Sequence, residues 1–230
     1  MIEHTALKNI YLNKTIYILG AGASMNYLDA SFFDDKITIG ANRIWKFCKL
    51  SYNLIKHKQF IEKAKENNHA TTKIVVSKHD CGDIDHELNP TKGVDYVFSH
   101  KKGNFDNLEQ NFIENLDSIG IDDDIFSSAS TITSCIHLAA YMGAKNIVLV
   151  GHDGGYIDGN VHVNNYSQSI RDFYKTEEEY HKYYNKWLEL VSGQTHRLKD
   201  KLRQVYNCNI YSLNPFINFR LEGHTFEVRR

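Results

Sequence analysis

The stretch TIYILGAGAS, residues Thr15–Ser24, decides the fold class, because an apolar run of β-forming residues leads directly into two glycines and a serine. This order is typical of a parallel strand, a tight glycine turn and a helix. A helix that begins at or near Ser24 would direct free backbone N–H groups at one point, which suits a phosphate. The third glycine of the dinucleotide fingerprint, three residues after Gly22, is missing. A turn that needs glycine only for its backbone therefore stays an alternative.

The composition is that of one globular domain, since 42% of the 230 residues are hydrophobic and only 2 are proline. A formal net charge of −1 argues against a nucleic-acid-binding surface. Neither GxxxxGKS nor GxxxxGKT occurs, which argues against an ordinary P-loop kinase or NTPase. No apolar run approaches the roughly 20 residues that span a bilayer, and the 4 cysteines form no CxxC pair. We therefore expect a cytoplasmic protein with free thiols.

Apolar segments that alternate with helical patterns predict an α/β fold, a Rossmann-like, mostly parallel sheet flanked by helices in one domain over residues 1–230. Short helices are expected over Ser24–Ala30 and His57–Asn67. Residues 1–14 are interpreted as a lead-in of little content, and residues 100–126 as an exposed loop or irregular cap over the sheet. After the first strand, the predicted strands are Lys36–Gly40, Ser51–Ile55, Lys73–Ser77, Val94–Phe98, Asn146–Val150 and Asn209–Leu213.

A second strong pattern begins at Ser127, where a run of small hydroxyl residues that includes Thr133 and Ser134 leads into a mostly buried helix. A central strand then delivers Gly151-His152-Asp153 to the carboxyl edge of the sheet, which is the edge where open α/β sheets bind ligands. We expect the two glycine turns, near Gly20 and Gly151, to face one crevice, with the hydroxyls as extra donors to a phosphate or carboxylate.

Several side chains at this edge have chemistry that suits catalysis or binding. His152 and Asp153 could form a general base with an orienting acid, although adjacent strand residues point to opposite faces. His152 could equally serve only to satisfy backbone groups. Asn42 could read a base or ribose, or simply cap a helix. The loop Lys78–Glu87 is dense in metal-ligand types but matches no zinc spacing, so a solvated loop is favoured there.

The last third of the chain begins with residues 156–175, whose Gly, Asn, His and Tyr content is typical of an active-site lid. A helix over Thr176–Val191 and a second over Thr195–Val205, capped by Ser192, are expected to follow. The first of them carries an aromatic stripe that favours core packing or a subunit interface, and so leaves a homo-oligomer open: Tyr180, Tyr183, Tyr184 and Trp187.

The order of these motifs resembles one superfamily over most of the chain. Its members include the bacterial CMP-sialic acid-dependent sialyltransferases, motility-associated flagellin glycosyltransferases and 6-hydroxymethylpterin pyrophosphokinase-like proteins. The motifs that carry the resemblance are the turn Gly20–Ser24, the strand and asparagine Ile39–Arg43, the segment Thr133–Asp153, and the final Ile210–Pro215.

The resemblance implies that Gly20, Gly22 and Ser24 contact the nucleotide phosphate or ribose, although Ala21 and Ala23 stand where the sialyltransferases have asparagine and proline. It also implies donor contacts for Asn42, Thr133 and Ser134. Gly151 and Asp153 are further candidates for ligand binding because they follow the central strand at the carboxyl edge of the sheet. A tyrosine on the donor phosphate would correspond to Tyr156. The general base of those enzymes precedes the last helix; His196 is the nearest candidate by position, with His162 and His181 as rivals.

Three functions follow from these patterns. The first is a glycosyltransferase that moves a CMP-linked, sialic-acid-like sugar to a glycan or protein acceptor without a required cofactor. The second is a Mg²⁺-dependent pyrophosphokinase that acts on a pterin-like alcohol, and the third is a non-catalytic nucleotide-binding protein. Carboxylates would hold the Mg²⁺ of the second: Asp80, Asp83, Asp85 or Asp153. The basic end at Arg229 and Arg230 leaves peripheral contact with an anionic membrane open.

Overall fold

Eight parallel strands form one sheet in the computed structural model, with the strand order β1-β6-β5-β4-β3-β2-β7-β8. The structure describes residues 2–66, 71–101, 107–128, 130–153, 155–164, 166 and 176–214. The strands are β1 (Ile2–Glu3), β2 (Thr15–Leu19), β3 (Ile37–Ala41), β4 (Tyr52–Leu54), β5 (Lys73–Ser77), β6 (Tyr96–Phe98), β7 (Asn146–Val150) and β8 (Asn209–Ser212). The helices are α1 (Lys58–Glu66), α2 (Leu108–Ser118), α3 (Thr131–Tyr141) and α4 (Glu177–Tyr206). The predicted α/β architecture is confirmed.

Strand β2 is an interior strand that pairs with β3 on one side and with β7 on the other, at the point where the strand order reverses. Ile18 stands beside both Ile39 and Leu149, and all three side chains are buried. A strand covered on both faces reads as a continuous apolar run, which is why β2 and β7 were visible in the sequence.

The two faces of the sheet are covered by different elements. Helices α2, α3 and α4 pack with Ile16 and Ile18 on one face, whereas α1 packs with Leu19 and Val148 on the other. Every residue of α3 after Thr131 is buried, and this packing fixes the start of the helix at the carboxyl ends of β2 and β3.

Two segments that the sequence left without elements are structured, so those interpretations were wrong. Residues 1–14 contain β1 and a short 3-10 helix, His4–Leu7, in which Leu7 is buried. Residues 100–126 contain α2, whose Phe112 meets Phe126 edge to face at 5.4 Å between ring centres. Polar residues on the outer surface of α2 hid these apolar anchors in the sequence.

Two helix predictions also need correction. Residues Ala23–Tyr27 form only a 3-10 turn, because the backbone is extended at Leu28 and ends the turn after five residues. The two helices expected around Ser192 are one continuous helix, α4, which ends where Asn207 adopts the left-handed conformation at φ 51°. The expected lid, residues 156–175, lies partly outside the described residues, as does the basic end of the chain.

Candidate functional site

The two glycine turns meet at the carboxyl ends of β2 and β7. Gly20 donates its backbone N–H to Val150 at 2.7 Å, and Gly22 donates to Gly151 at 2.8 Å. Gly151 has φ 64°, and a Cβ there would lie 2.5 Å from the carbonyl oxygen of Gly20. Glycine is required at this contact by both the left-handed backbone and the close approach of two chains.

Asp153 connects the ends of three strands. Its Oδ2 accepts the backbone N–H of Ser24 at 2.8 Å, and its Oδ1 accepts the Ser24 hydroxyl at 2.5 Å and the Asn214 amide at 2.8 Å. The carboxyl group is 4% exposed. Burial raises its pKa, and the hydrogen bonds from Ser24 and Asn214 partly offset that rise. Asp153 therefore organises the turns beneath any ligand.

His152 is held separately from Asp153. Its Nε2 lies 2.9 Å from the Thr195 hydroxyl, which donates its own proton to the Val191 carbonyl at 2.8 Å. Nε2 must therefore carry the proton in this contact. Burial lowers the pKa of His152 to about 4, so the ring is neutral at pH 7. His152 and Asp153 do not form the base-and-acid pair that the sequence allowed. We call the following set the cavity floor: Ser24, Gly151, His152, Asp153 and Asn214.

Above the floor lies a cavity of about 490 Å³, a size suited to a small ligand. Gly22, Asn42, Gly151, His152 and Asp153 line it from the sheet edge. On the opposite side it is lined by what we call the aromatic wall: His162, Tyr166, Tyr183, Tyr184 and Trp187. Three residues of the aromatic stripe of α4, Tyr183, Tyr184 and Trp187, thus face this cavity.

Asn42 bridges two elements across the cavity. It has φ 52°, a left-handed conformation that asparagine tolerates better than most residues. Its Nδ2 donates to the Thr131 hydroxyl at 3.1 Å, while its Oδ1 accepts the backbone N–H of Lys56 at 3.1 Å. The amide is therefore oriented before a ligand arrives.

The hydroxyls at the start of α3 differ in position from those expected. Ser130 and Thr131 line the cavity, and Ser130 caps the helix by accepting the N–H of Ile132 at 3.3 Å. Thr133 and Ser134 are completely buried behind them, and Thr133 donates to the Ser130 carbonyl at 2.6 Å. The cavity thus meets the N-terminus of an eleven-residue α-helix at α3, a location that favours an anion.

His162 lies in the aromatic wall, and its ring forms hydrogen bonds with two parts of the protein. Its Nε2 is 3.3 Å from the hydroxyl of Tyr184, and the ring also hydrogen-bonds the backbone of Ala21. Burial lowers the pKa of His162, the Ala21 contact opposes this, and the positive charge of Arg43 lowers it further. The ring is thereby kept unprotonated at neutral pH.

The other candidate histidines lie elsewhere on α4. His196 is outside the cavity lining, with a side chain 44% exposed and Nε2 3.9 Å from Asp200. His181 accepts or donates a hydrogen bond of 2.9 Å with the Tyr156 hydroxyl. Tyr156 itself packs beside Tyr184, 6.4 Å between ring centres, behind the aromatic wall. Of the candidates, His152 and His162 line the cavity.

The carboxylates considered for Mg²⁺ do not converge. Asp83 lies 3.4 Å from His57 and accepts the backbone N–H of Lys58, and Asp85 accepts that of Leu88. Within the part of the chain that the structure describes, no three His, Cys, Asp or Glu side chains are grouped as metal ligands would be. Among the same residues, no helix is long and apolar enough to cross a membrane.

Sequence reasoning assigned no role to several residues of this site. Arg43 lies between the rings of Phe60 and Tyr166, and Asn214 completes the bonds to Asp153. Asn214 directly follows the last strand, a position that could have indicated its role. The stacking of Arg43 joins segments far apart in the chain and leaves no local signal.

No family model matches the sequence, and no curated protein is significantly similar to it. Solved structures of the sialyltransferase CstII do match. The Campylobacter jejuni enzyme with cytidine-5'-monophosphate has a TM-score of 0.51 at 14% identity, over 90% of this chain and 83% of that one. Its complex with the substrate analogue CMP-3FNeuAc has a TM-score of 0.51 at 14% identity, over 92% of this chain and 88% of that one. A CstII complex with a trisaccharide acceptor and CMP has a TM-score of 0.50 at 14% identity, over 89% of this chain and 83% of that one.

These matches confirm the expected resemblance in fold to CMP-sialic acid-dependent sialyltransferases. At 14% identity, the common property is the path of the chain, and the side chains of a site have to be argued individually. This chain therefore shares the fold of the sialyltransferase CstII over about nine tenths of its length.

Proposed function

We propose that this protein is a glycosyltransferase that uses a CMP-activated, sialic-acid-like sugar and transfers it to a glycan or protein acceptor. The observation that carries the proposal is the cavity at the carboxyl edge of a sialyltransferase-like fold, where two glycine turns and the start of α3 converge. Matching structures were solved with CMP, CMP-3FNeuAc and a trisaccharide acceptor.

The donor phosphate would lie between the glycine turns and the N-terminus of α3. Gly22 and Gly151 present no side chains there, and Ser130 and Thr131 offer hydroxyl groups. Asn42, fixed by Thr131 and Lys56, would orient the nucleotide. A leaving group with one phosphate can be stabilised by such donors, since oriented hydrogen bonds at developing charge act without reorganisation.

His162 would be the general base. Its neutral ring lies in the cavity wall, and the Ala21 contact fixes its orientation. In transfer the acceptor hydroxyl would take the place of the Tyr184 hydroxyl at Nε2 and give its proton to that nitrogen. The acceptor oxygen then bonds to the anomeric carbon while the bond from that carbon to the phosphate oxygen breaks. CMP leaves with the electron pair of that bond.

Release of CMP from CMP-N-acetylneuraminic acid tests the proposal, with EDTA present and with spontaneous hydrolysis subtracted. We expect the wild type to release CMP. His162→Asn should lower the rate about 100-fold or more, the usual effect of losing a general base. The matched variant His196→Asn should leave the rate within about twofold, because His196 lies outside the cavity.

Two results would contradict the proposal. If CMP were released no faster than by spontaneous hydrolysis, the proposed glycosyltransferase activity would be wrong. If the rate fell in His196→Asn but not in His162→Asn, the glycosyltransferase activity would stand but His196 would be its general base.

A further inference from the structure

The amino edge of the sheet, opposite the cavity, carries a lysine at the start of five neighbouring strands. The strands of the sheet pair in parallel, so their first residues lie at one edge. Strands β5, β4, β3, β2 and β7 are consecutive in the sheet. Their lysines either begin the strand, directly precede it or, at β4, stand three positions before it: Lys73, Lys49, Lys36, Lys14 and Lys145. We call this set the basic edge.

Contacts place these lysines side by side. Lys36, Lys49 and Lys73 line one cavity of about 320 Å³. Lys145 donates its backbone N–H to the Lys14 carbonyl at 2.8 Å. The basic edge is therefore one surface that runs across the starts of five strands, and its charges are not isolated from one another.

Two lysines of the basic edge are in ion pairs. The Lys36 ammonium lies 2.7 Å from the Asp35 carboxylate, and the Lys73 ammonium lies 3.5 Å from that of Asp95. These two pairs contribute no net charge to the surface.

The other three lysines have no carboxylate within ion-pair distance among the residues that the structure describes: Lys14, Lys49 and Lys145. Lys145 donates instead to the neutral carbonyl of Asn207 at 3.3 Å. Asp34 is a nearby acid that lines the same cavity as Lys49. Although the formal net charge of the chain is −1, this edge is thus locally positive, which favours contact with an anionic surface.

Exposed apolar side chains lie beside Lys14. The segment before Lys14 is fixed to the end of α3 by backbone hydrogen bonds from every second residue. These bonds run from Asn9 to Tyr141, from Tyr11 to Met142 and from Asn13 to Gly143, at 3.1, 2.8 and 2.9 Å. The residues between them, Ile10 and Leu12, point outward, and Leu12 is 61% exposed.

A third exposed apolar side chain lies beside Lys36. The Lys36 ammonium is 4.3 Å from the ring centre of Phe32, and this ring is exposed. Lysines among exposed apolar side chains suit an anionic membrane, because the ammonium groups attract the headgroups while the apolar groups enter the headgroup boundary. A soluble polyanion would need the lysines alone.

We propose that the basic edge, together with Ile10, Leu12 and Phe32, docks the protein on an anionic membrane surface. The cavity lies at the opposite, carboxyl edge of the sheet and so stays open to solvent in the docked protein. The inference concerns a different surface from the cavity and does not depend on the proposed reaction.

Flotation of the full chain with lipid vesicles tests the proposal. We expect the wild type to bind vesicles made of equal parts phosphatidylglycerol and phosphatidylcholine, and not vesicles of phosphatidylcholine alone. The double variant Lys14→Gln with Lys49→Gln should bind the anionic vesicles about 30-fold more weakly, the combined effect of two lysines near such a surface. High salt should weaken the binding of the wild type, because it screens these charges.

Two further variants make the test specific. Lys182→Gln with Lys186→Gln removes the same charge from exposed positions of α4 and should leave the affinity within about twofold. Leu12→Ser keeps every charge and should weaken binding about tenfold, since an apolar group no longer enters the headgroup boundary. Thermal melting of each variant verifies that it is folded.

Equal losses in the two lysine pairs would mean that only the overall charge matters and would overturn the proposal. Unchanged binding in Lys14→Gln with Lys49→Gln would also overturn it, and would assign the contact to another surface, such as the basic end at Arg229 and Arg230, which every variant retains. If the wild type bound heparin but no vesicles, the basic edge would be a site for a soluble polyanion. None of these results involves CMP, so the proposed function is tested separately.

Discussion

The cavity floor and the aromatic wall bound the same cavity but are held in different ways. In the floor, Asp153 accepts three hydrogen bonds from two neighbours, and its carboxyl group is almost entirely buried. In the wall, rings meet at angles, as His162 and Tyr184 do at 5.6 Å and 90°. The buried hydrogen bonds to the charged group form as the protein folds. Each ring contact, in contrast, contributes only about 1 kcal/mol.

This difference predicts a division of roles. Substitutions in the floor should reduce the free energy of unfolding, because they leave buried donors or acceptors without partners. Substitutions in the aromatic wall should change turnover or its pH dependence while the protein stays folded. The following experiments test that division, beginning with the largest expected effect.

Asp153→Ala should be the most damaging change. It leaves the Ser24 N–H, the Ser24 hydroxyl and the Asn214 amide without their acceptor. We expect the free energy of unfolding in urea to fall by about 3 kcal/mol. Asp153→Asn should lose less, about 1 kcal/mol, since an amide oxygen can still accept from the Ser24 N–H.

The matched substitution in the aromatic wall is Tyr183→Phe, at a side chain 44% exposed. It should change the free energy of unfolding by less than about 0.5 kcal/mol. If Asp153→Ala were as stable as the wild type, the floor would not be part of the folded framework and the division would fail.

His152 should make the fold sensitive to acid. Its pKa in the folded protein is about 4, against about 6.5 for an unfolded chain. Between these values the unfolded chain binds more protons, so the free energy of unfolding falls as pH decreases from about 6.5 towards about 4. The slope from one histidine is at most about 1.4 kcal/mol per pH unit.

His152→Gln isolates this contribution because it keeps an amide donor for Thr195 and does not titrate. Buried His137, whose pKa is lowered to about 3, adds the same acid dependence to both proteins. At pH 4.5 we expect the variant to have lost about 2 kcal/mol less than the wild type. Urea unfolding at a series of pH values measures this, and identical slopes would show that His152 titrates normally.

The smallest expected effect concerns the aromatic wall. The positive charge of Arg43 helps to lower the pKa of His162. Arg43→Met should raise that pKa, so that His162 is protonated at higher pH. The acid limb of the turnover profile should therefore shift to higher pH. Arg43→Lys keeps the charge and should leave the limb in place. The measurement is the rate of CMP release at saturating donor as a function of pH. If the acid limb of this profile were at the same pH in Arg43→Met as in the wild type, His162 would not be the general base.

The sequence predicted the floor better than the wall for a physical reason. Glycine turns directly after buried strands are local patterns, so Gly20, Gly22 and Gly151 could be placed at one edge before any coordinates. The α-helix predicted at Ser24 is a 3-10 turn in the structure, because extended backbone at Leu28 ends it after Tyr27. A helix N-terminus was expected at the first turn, with hydroxyl donors at the start of the later helix; the helix N-terminus that borders the cavity is that of the later helix, α3.

The wall depends on contacts between residues distant in the chain. Tyr184 meets His162 across 22 positions, and Arg43 meets Tyr166 across more than 100. Periodicity placed the tyrosines on one stripe of α4 but could not say what the stripe faces. His196 was nearest the expected position along the chain, yet the helix turns it away from the cavity.

A calorimetric titration with CMP, in EDTA, tests the central claim most directly, with ATP and Mg²⁺ titrated separately. We predict that CMP binds the wild type without metal and that Asn42→Ala weakens it at least about tenfold, since an oriented amide is lost. ATP with Mg²⁺ should show no comparable binding. Binding of ATP only with Mg²⁺, and none of CMP, would contradict the account and favour a pyrophosphokinase.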